Sequence, residues 1–277
     1  MLLTATCPPS LSASLLESLA IHNCKIIRAP TNRPEISYNV NLSDDIPQAK
    51  RLLVTAVKER LERSDENFRA LVYCRSKEAV DTLAEKIGCK PFHLGILEAE
   101  RDPSFKDWVG GKERVMVCTS LLGCGVDVEG VQVVYHFLTP WSAMDFVQES
   151  GRGGRGGKYA ESYVFASRKD MKHPEGPEDR FGAGIMKDWV LQDSTSRWHA
   201  LSSFFDINPT TCILLQNANL CDVCKRKMDE PRPNRLVELT PLPISPKNLP
   251  IIGPLPLLPP SSTQYALERF KRPVTQE

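Results

Sequence analysis

The sequence predicts an α/β fold: a parallel sheet with helices on both faces, then a small helical, cysteine-bearing subdomain and a disordered proline-rich tail. Three observations carry that expectation. From Pro47 to Arg168 short apolar runs alternate with amphipathic stripes, the pattern of parallel strands buried on both faces and covered by helices. Cys212, Cys221 and Cys224 then cluster beyond a helical stretch. Residues 231–277 hold 11 of the 22 prolines, too dense for helix or sheet and suited to a partly polyproline-II tail.

Taken in order, residues 1–45 read as a remnant and a connector, with Ser10 as the cap of a short helix carrying Leu15, Leu16 and Leu19. Residues 46–170 form the regular body. Leu52, Leu53, Ala56, Val57 and Leu61 give a helical stripe, Ala70–Tyr73 a strand, and Lys77–Ile87 a helix with Val80, Leu83, Ala84 and Ile87 inward. Pro91–Leu94 is the next strand; a helix, strands at Val115–Thr119 and Val131–Phe137, a helix over Ser142–Ser150 and a strand at Ser162–Ala166 complete the run. Residues 171–230 make the subdomain, with Pro174, Gly176 and Pro177 marking a loop and Trp198–Phe205 a helix. Residues 231–277 are the tail, an unstructured segment or a docking ligand for an aromatic groove.

The chain has 277 residues and a net charge of +1, from 35 basic and 34 acidic residues. Any nucleic-acid contact must therefore come from a local patch and not from a globally basic protein. Nine cysteines without the spacing of a disulfide framework, and no signal-like opening, favour a reducing compartment. No apolar run approaches the ~20 residues that span a bilayer, so a soluble protein without a membrane partner is expected.

The most informative segment is Gln148–Gly157, QESGRGGRGG. It sets Arg152 and Arg155 three apart among five glycines, directly after a helix. Guanidinium groups are fixed, planar and permanently charged, and glycines let backbone and phosphate come close. The arrangement suits the γ-phosphate of a nucleotide; the alternative is a glycine-rich turn with two solvated arginines. In the cysteine cluster, C-x8-C-x2-C brings three thiols to the spacing of one tetrahedral zinc site. Three reduced structural cysteines are the alternative.

Four further segments align in order with QESGRGGRGG: LTAT (Leu3–Thr6), LVYCRSK (Leu71–Lys77), FHLGIL (Phe92–Leu97) and VMVCTSLLGCGVDVEGVQVVYHF (Val115–Phe137). Together they resemble the RecQ family of superfamily 2 DNA helicases, from the start of the chain to about residue 225. Gln148-Glu149 speaks for this branch, because RNA helicases of the DEAD-box class usually open that motif with His-Arg. The resemblance implies a RecA-like second motor lobe followed by a degenerate zinc subdomain. It makes Arg155 an arginine finger and Arg152 its companion, a finger contributing ~10³–10⁵ in rate.

By the same resemblance Gln148 lies near the nucleotide, and Gly125 and Asp127 occupy the loop that couples nucleotide to nucleic acid. Asp127 is a candidate for the ribose or for the network of Arg155, or is an aspartate in a tight turn. Tyr73, Arg75, Ser76 and Thr119 follow strand ends where related helicases grip phosphates; for Arg75 and Lys77 a solvated face is the alternative. His93 reads as a satisfied core histidine, and Cys118 and Cys124 as buried fillers. The family's zinc subdomain has four cysteines, and Ser196 stands at the first of those positions; His199, one turn on, is the substitute ligand considered.

The resemblance also implies ATP with Mg²⁺, single-stranded or forked DNA as partner, 3′ to 5′ translocation, roles in repair and recombination, and a nuclear location. Yet these residues contain neither a GxxxxGK[ST] phosphate loop nor a DExH box, and Tyr159 follows Gly156-Gly157-Lys158 where Ser or Thr is needed. LTAT matches the last conserved segment of a first lobe. The expectation is therefore a chain that starts where that lobe ends and is inactive alone, paired with a complementary motor lobe or a full-length helicase. A non-catalytic nucleic-acid-binding module and an RNA helicase lobe are the competing readings.

Overall fold

A computed structural model describes residue 4, residues 6–120, 128–170 and 181–229. Its center is a six-stranded sheet, parallel throughout, in the order β1-β6-β5-β2-β4-β3. The strands are β1 (Ile36–Ser43), β2 (Arg69–Cys74), β3 (Pro91–Phe92), β4 (Val115–Cys118), β5 (Val131–Phe137) and β6 (Ala160–Ser167). β2, β4 and β5 are buried along nearly their whole length, as central strands covered on both faces must be.

One face carries α2 (Ile46–Arg63) and α3 (Lys77–Ile87). Asp45 caps α2 by accepting from the Gln48 N–H at 2.7 Å, with proline in the first turn. Ser76 caps α3, and Gly88 ends it in the left-handed region at φ 88° while its N–H closes on Ala84. The apolar stripe Leu53, Val57, Val80, Leu83 and Ala84 packs there on Val72, Val117 and Val133. The other face is covered by α4 (Glu98–Val109), α5 (Ala143–Ser150), α6 (Ala183–Leu191), α7 (Arg197–Phe205) and α8 (Asp222–Asp229).

Three features depart from the expectations. The segment read as a connector contains β1, a full strand paired with β6 along eight residues. Its Ile36 and Tyr38 face the core shared with Phe146, Trp189 and Trp198, whereas Asn39 and Asn41 line the open groove beside α2. An edge strand with one polar face loses the continuous apolar signal.

The cysteine-bearing segment is no separate core: Cys212, Cys221 and Cys224 belong to the same apolar cluster as Ile36 and Val164 of the sheet. The first helix, α1 (Pro9–Ser18), starts at a proline with Pro8 at the cap position, so Ser10 lies inside it and does not cap it. The proline-rich tail lies outside the described residues. Among the described residues no helix is long and apolar enough to cross a membrane.

Candidate functional site

The glycine-arginine segment is built from α5 outward. Ser142 caps that helix, accepting from the Asp145 N–H at 3.1 Å and donating to its carboxylate at 2.7 Å. Ala143, Phe146, Glu149 and Ser150 turn inward. After Ser150 the chain folds back at once: the Gly153 N–H bonds to Ser150 O and the Gly154 N–H to Val131 O at the start of β5. Gly154, Gly156 and Gly157 all have positive φ, between 67° and 74°. Only glycine adopts that backbone without strain.

Arg152 and Arg155 are held half-buried on this loop, and both are engaged by neighbors. A third arginine, which sequence reasoning passed over, holds the loop's backbone. Arg33 donates from one terminal nitrogen to Gly151 O and from the other to Gly153 O, both at 3.2 Å. Its Nε is paired with Glu35, so the fork is fixed on two sides. Its signal was an Arg-Pro pair just before an alternating run, Ile36 to Leu42. Gln148 is exposed, and its amide donates to the Thr6 hydroxyl at 2.9 Å, tying the loop to the LTAT segment.

Beneath the loop lies a buried polar cluster. Glu149 accepts from the Ser120 hydroxyl at 2.8 Å and has its second oxygen 3.2 Å from His136 Nε2. That second contact lacks hydrogen-bond alignment, so it is a close charge-dipole or ion contact. Tyr73 stacks on His136 with ring centroids 5.7 Å apart. Burial, with smaller contributions from Cys118 and Glu149, pushes the Tyr73 hydroxyl well above its usual range, while Arg152 and Arg155 pull the other way. The two arginines therefore act electrostatically at the carboxyl end of β2.

Of the four residues expected to grip phosphates, the structure keeps two accessible and turns two inward. Ser76 is exposed, and Thr119 is partly exposed after β4 with its N–H on Phe92 O. Tyr73 is only 3% exposed, because it fills the core beside Phe92, Trp108 and Val134. Arg75 has its side chain only 13% exposed: it donates to Thr139 O and pairs with Asp170 at 2.9 Å. Its guanidinium also sits 4.5 Å from the Trp141 ring center. Its remaining nitrogen, Nη2, is buried without a partner among the described residues, so the fork is closed to a phosphate. Gly125, Asp127 and Cys124 lie outside the described residues.

His93 is the satisfied core histidine that was expected, with Nε2 2.9 Å from Asp81 and Nδ1 accepting from the Gly95 N–H. Cys118 is fully buried, and burial holds its thiol far above the ordinary range, so it is no nucleophile.

The metal-ligand candidates divide in the same way. The sulfurs of Cys212, Cys221 and Cys224 lie within 4.8 Å of one another, all buried. His199 is not among them. It lies half-exposed on α7, with Nδ1 3.3 Å from the Ser203 hydroxyl. Ser196 itself has its hydroxyl 3.5 Å from Cys212 Sγ. The Arg197 N–H points at Cys221 Sγ from 3.4 Å.

A hydrogen bond from Cys221 brings the Cys212 thiol down to about 7 against the opposition of burial, with Ser196 helping. The same bond, followed by burial, raises Cys221. Three converging thiols with one already acidic, a backbone donor and a hydroxyl at the fourth side fit a tetrahedral soft-metal site.

Comparison with known proteins now bears on this geometry. Residues 50–157 match the helicase conserved C-terminal domain. The chain is 30% identical over 176 residues to the ATP-dependent DNA helicase hus2/rqh1 of Schizosaccharomyces pombe, covering 61% of this chain and 13% of that protein. It is 27% identical over 177 residues to the RecQ-like DNA helicase BLM of Xenopus laevis, covering 62% and 13% respectively. The chain thus spans about an eighth of the length of these curated relatives. Among solved structures, Saccharomyces cerevisiae Dbp5 bound to RNA and ADP BeF3 superposes with a TM-score of 0.54 at 15% identity, over 75% of this chain and 49% of that one. That likeness is one of fold: a parallel sheet of RecA-like arrangement with helices on both faces.

Proposed function

From a chain that carries a RecQ-like C-terminal helicase portion, we propose that it is the second lobe of an ATP-dependent 3′ to 5′ DNA helicase. The observation that carries this reading is the clamped loop: two arginines on a glycine turn whose carbonyls are gripped by Arg33. Bound Mg²⁺-ATP supplies the phosphoryl group whose transfer drives the motor. Arg152 and Arg155 stabilize its charge, with Gln148 near the nucleotide.

The phosphate loop and acidic box come from a first lobe outside these residues, so the polypeptide by itself does not turn ATP over. Single-stranded or forked DNA lies across the carboxyl edge of the sheet at Ser76 and Thr119. Roles in repair and recombination and a nuclear location belong to the same proposal. Cys212, Cys221 and Cys224 would hold zinc, which would cross-link the segment onto the sheet.

The test is binding and turnover measured on the full chain. We expect affinity for single-stranded DNA that falls with salt, no DNA-stimulated ATP hydrolysis, and hydrolysis restored by an added complementary first lobe but not when Arg155→Ala is used. DNA-stimulated ATPase by the chain alone, abolished by Arg155→Ala, overturns the division of labor. Tighter binding to RNA than to DNA of equal length favors the RNA-lobe reading, since the 2′-hydroxyl is the systematic backbone difference.

A further inference from the structure

The chain has four tryptophans, and three of them, Trp108, Trp189 and Trp198, are 1% exposed in the core. Trp141 is the exception. It stands on the loop after β5, at the carboxyl edge of the sheet, with 45% of its surface in solvent. A ring of that size left in water forgoes much of the stabilization that burial gives. It is nevertheless held in place. The Arg75 guanidinium lies 4.5 Å from its ring center, and Arg75 is itself fixed by Thr139 O and by Asp170 at 2.9 Å. A cation on one side of an indole, anchored by two further contacts, presents the rest of the ring as a rigid surface.

What surrounds it points to the occupant. Trp141 and Ser120, which follow β5 and β4, line one small recess with Tyr73 and Arg75. Exposed cations stand at the same edge, Lys77 at the start of α3 and Arg168 and Lys169 after β6. Of the acids nearby, Asp170 is taken up by Arg75 and Asp145 by Ser142. The Glu78 and Asp44 carboxylates remain exposed. A flat aromatic surface between cations is what a single-stranded nucleic acid uses, bases on the ring and phosphates on the charges.

We propose that Trp141 is a base-stacking platform for a single strand laid along the carboxyl edge of the sheet, braced from behind by Arg75. The inference rests on the DNA-binding reading above and adds to it a contact with bases where that reading has contacts with phosphates only.

Because the other tryptophans are buried, quenching of the exposed component of intrinsic fluorescence reports on this residue. The full chain is titrated with an oligothymidylate and with a strand of equal length made of abasic sites, using wild type, Trp141→Ala and Trp141→Phe. Stacking predicts that the base-bearing strand quenches the wild type, that Trp141→Ala weakens its binding roughly 10-fold, and that Trp141→Phe recovers most of the loss. The abasic strand should bind wild type and Trp141→Ala alike. If Trp141→Ala holds oligothymidylate as tightly as wild type, the platform is refuted while the DNA-binding reading stands. If wild type binds neither strand, both fall together.

Discussion

Two glycines of the arginine loop separate backbone strain from steric conflict. Gly154 and Gly156 both sit in the left-handed region, at φ 67° and 73°. Alanine in that region costs about 1–2 kcal/mol, offset by about 0.4–1 kcal/mol because the unfolded chain loses freedom. The two sites share that balance, a net loss of about 1 kcal/mol. They differ in space. A Cβ on Gly156 meets nothing within 4 Å, whereas one on Gly154 falls 2.7 Å from Lys158 O and 2.9 Å from Glu35 Cγ.

The first of those contacts is backbone, so the chain from Gly154 to Lys158 must shift, at a further cost of about 1–3 kcal/mol. Gly154→Ala should therefore lose about 2–4 kcal/mol and Gly156→Ala about 1, read as urea midpoints multiplied by a common slope. Gly154→Ala should also displace Arg155 and so abolish ATPase restored by a first lobe, while Gly156→Ala retains it. Equal losses of stability at the two positions would show that the contact of Gly154 with Lys158 and Glu35 does not set the loop.

Other perturbations probe the surrounding parts. Glu149→Ala leaves His136 buried without its carboxylate and should cost about 2–4 kcal/mol, against about 1 for Glu149→Gln, which keeps the Ser120 bond; chemical denaturation of the two variants decides. Arg197 bonds Asp222 through two nitrogens at 2.9 and 3.1 Å and also reaches Gln192 O at 2.7 Å. Arg197→Met should lose about 3–5 kcal/mol by the same measurement, and a neutral result would remove this pair from the framework.

The thiols make metal-free stability depend on pH. Cys212 titrates at about 7 in the folded chain, below the ~8.5 of an unfolded thiol, so its contribution is full above the latter and disappears as pH falls through 7. Cys221, Cys74 and Cys118 are raised, so their contribution is lost above the unfolded value. Stability of the reduced, chelated protein should climb between neutral and mildly alkaline pH and then decline, and Cys212→Ser should remove the climb in a series of midpoints.

α2, α3, α5 and the central strands were legible because each repeats a local signal. The stripes from Leu52 to Leu61 and from Val80 to Ile87 specify α2 and α3 without reference to the rest of the chain, and the bounds of α3 match the expectation at both ends. β1 was missed because Ser37, Asn39 and Asn41 make its second face polar, so it lacks the continuous apolar run of the central strands, and Pro34 precedes it; it pairs with β6 at the sheet edge. At the site, residue type told which chemistry was present but not which way a side chain turned. Arg75 looked like a phosphate ligand until Asp170 and Trp141, 95 and 66 positions further along, closed on it. His199 lies in the first turn of α7, just after Ser196, yet its ring turns to the Ser203 hydroxyl and not to the thiols. Long-range partners decide such cases, and they leave no trace in local spacing.

Those partners also explain why a fragment-like stretch at the start of the regular body matters to the arginine loop. Arg33 grips Gly151 and Gly153. The next residues, Pro34 and Glu35, offer their carbonyls to the Asn219 amide at 3.2 and 3.1 Å. Asn219 lies two residues before Cys221. The loop, β1 and the thiol cluster are thus joined by consecutive hydrogen bonds and by one apolar cluster in which Ile36, Cys212 and Cys221 take part. The thiol end and the glycine loop are connected through Asn219, the Pro34–Glu35 backbone and Arg33, which holds the loop's carbonyls in place.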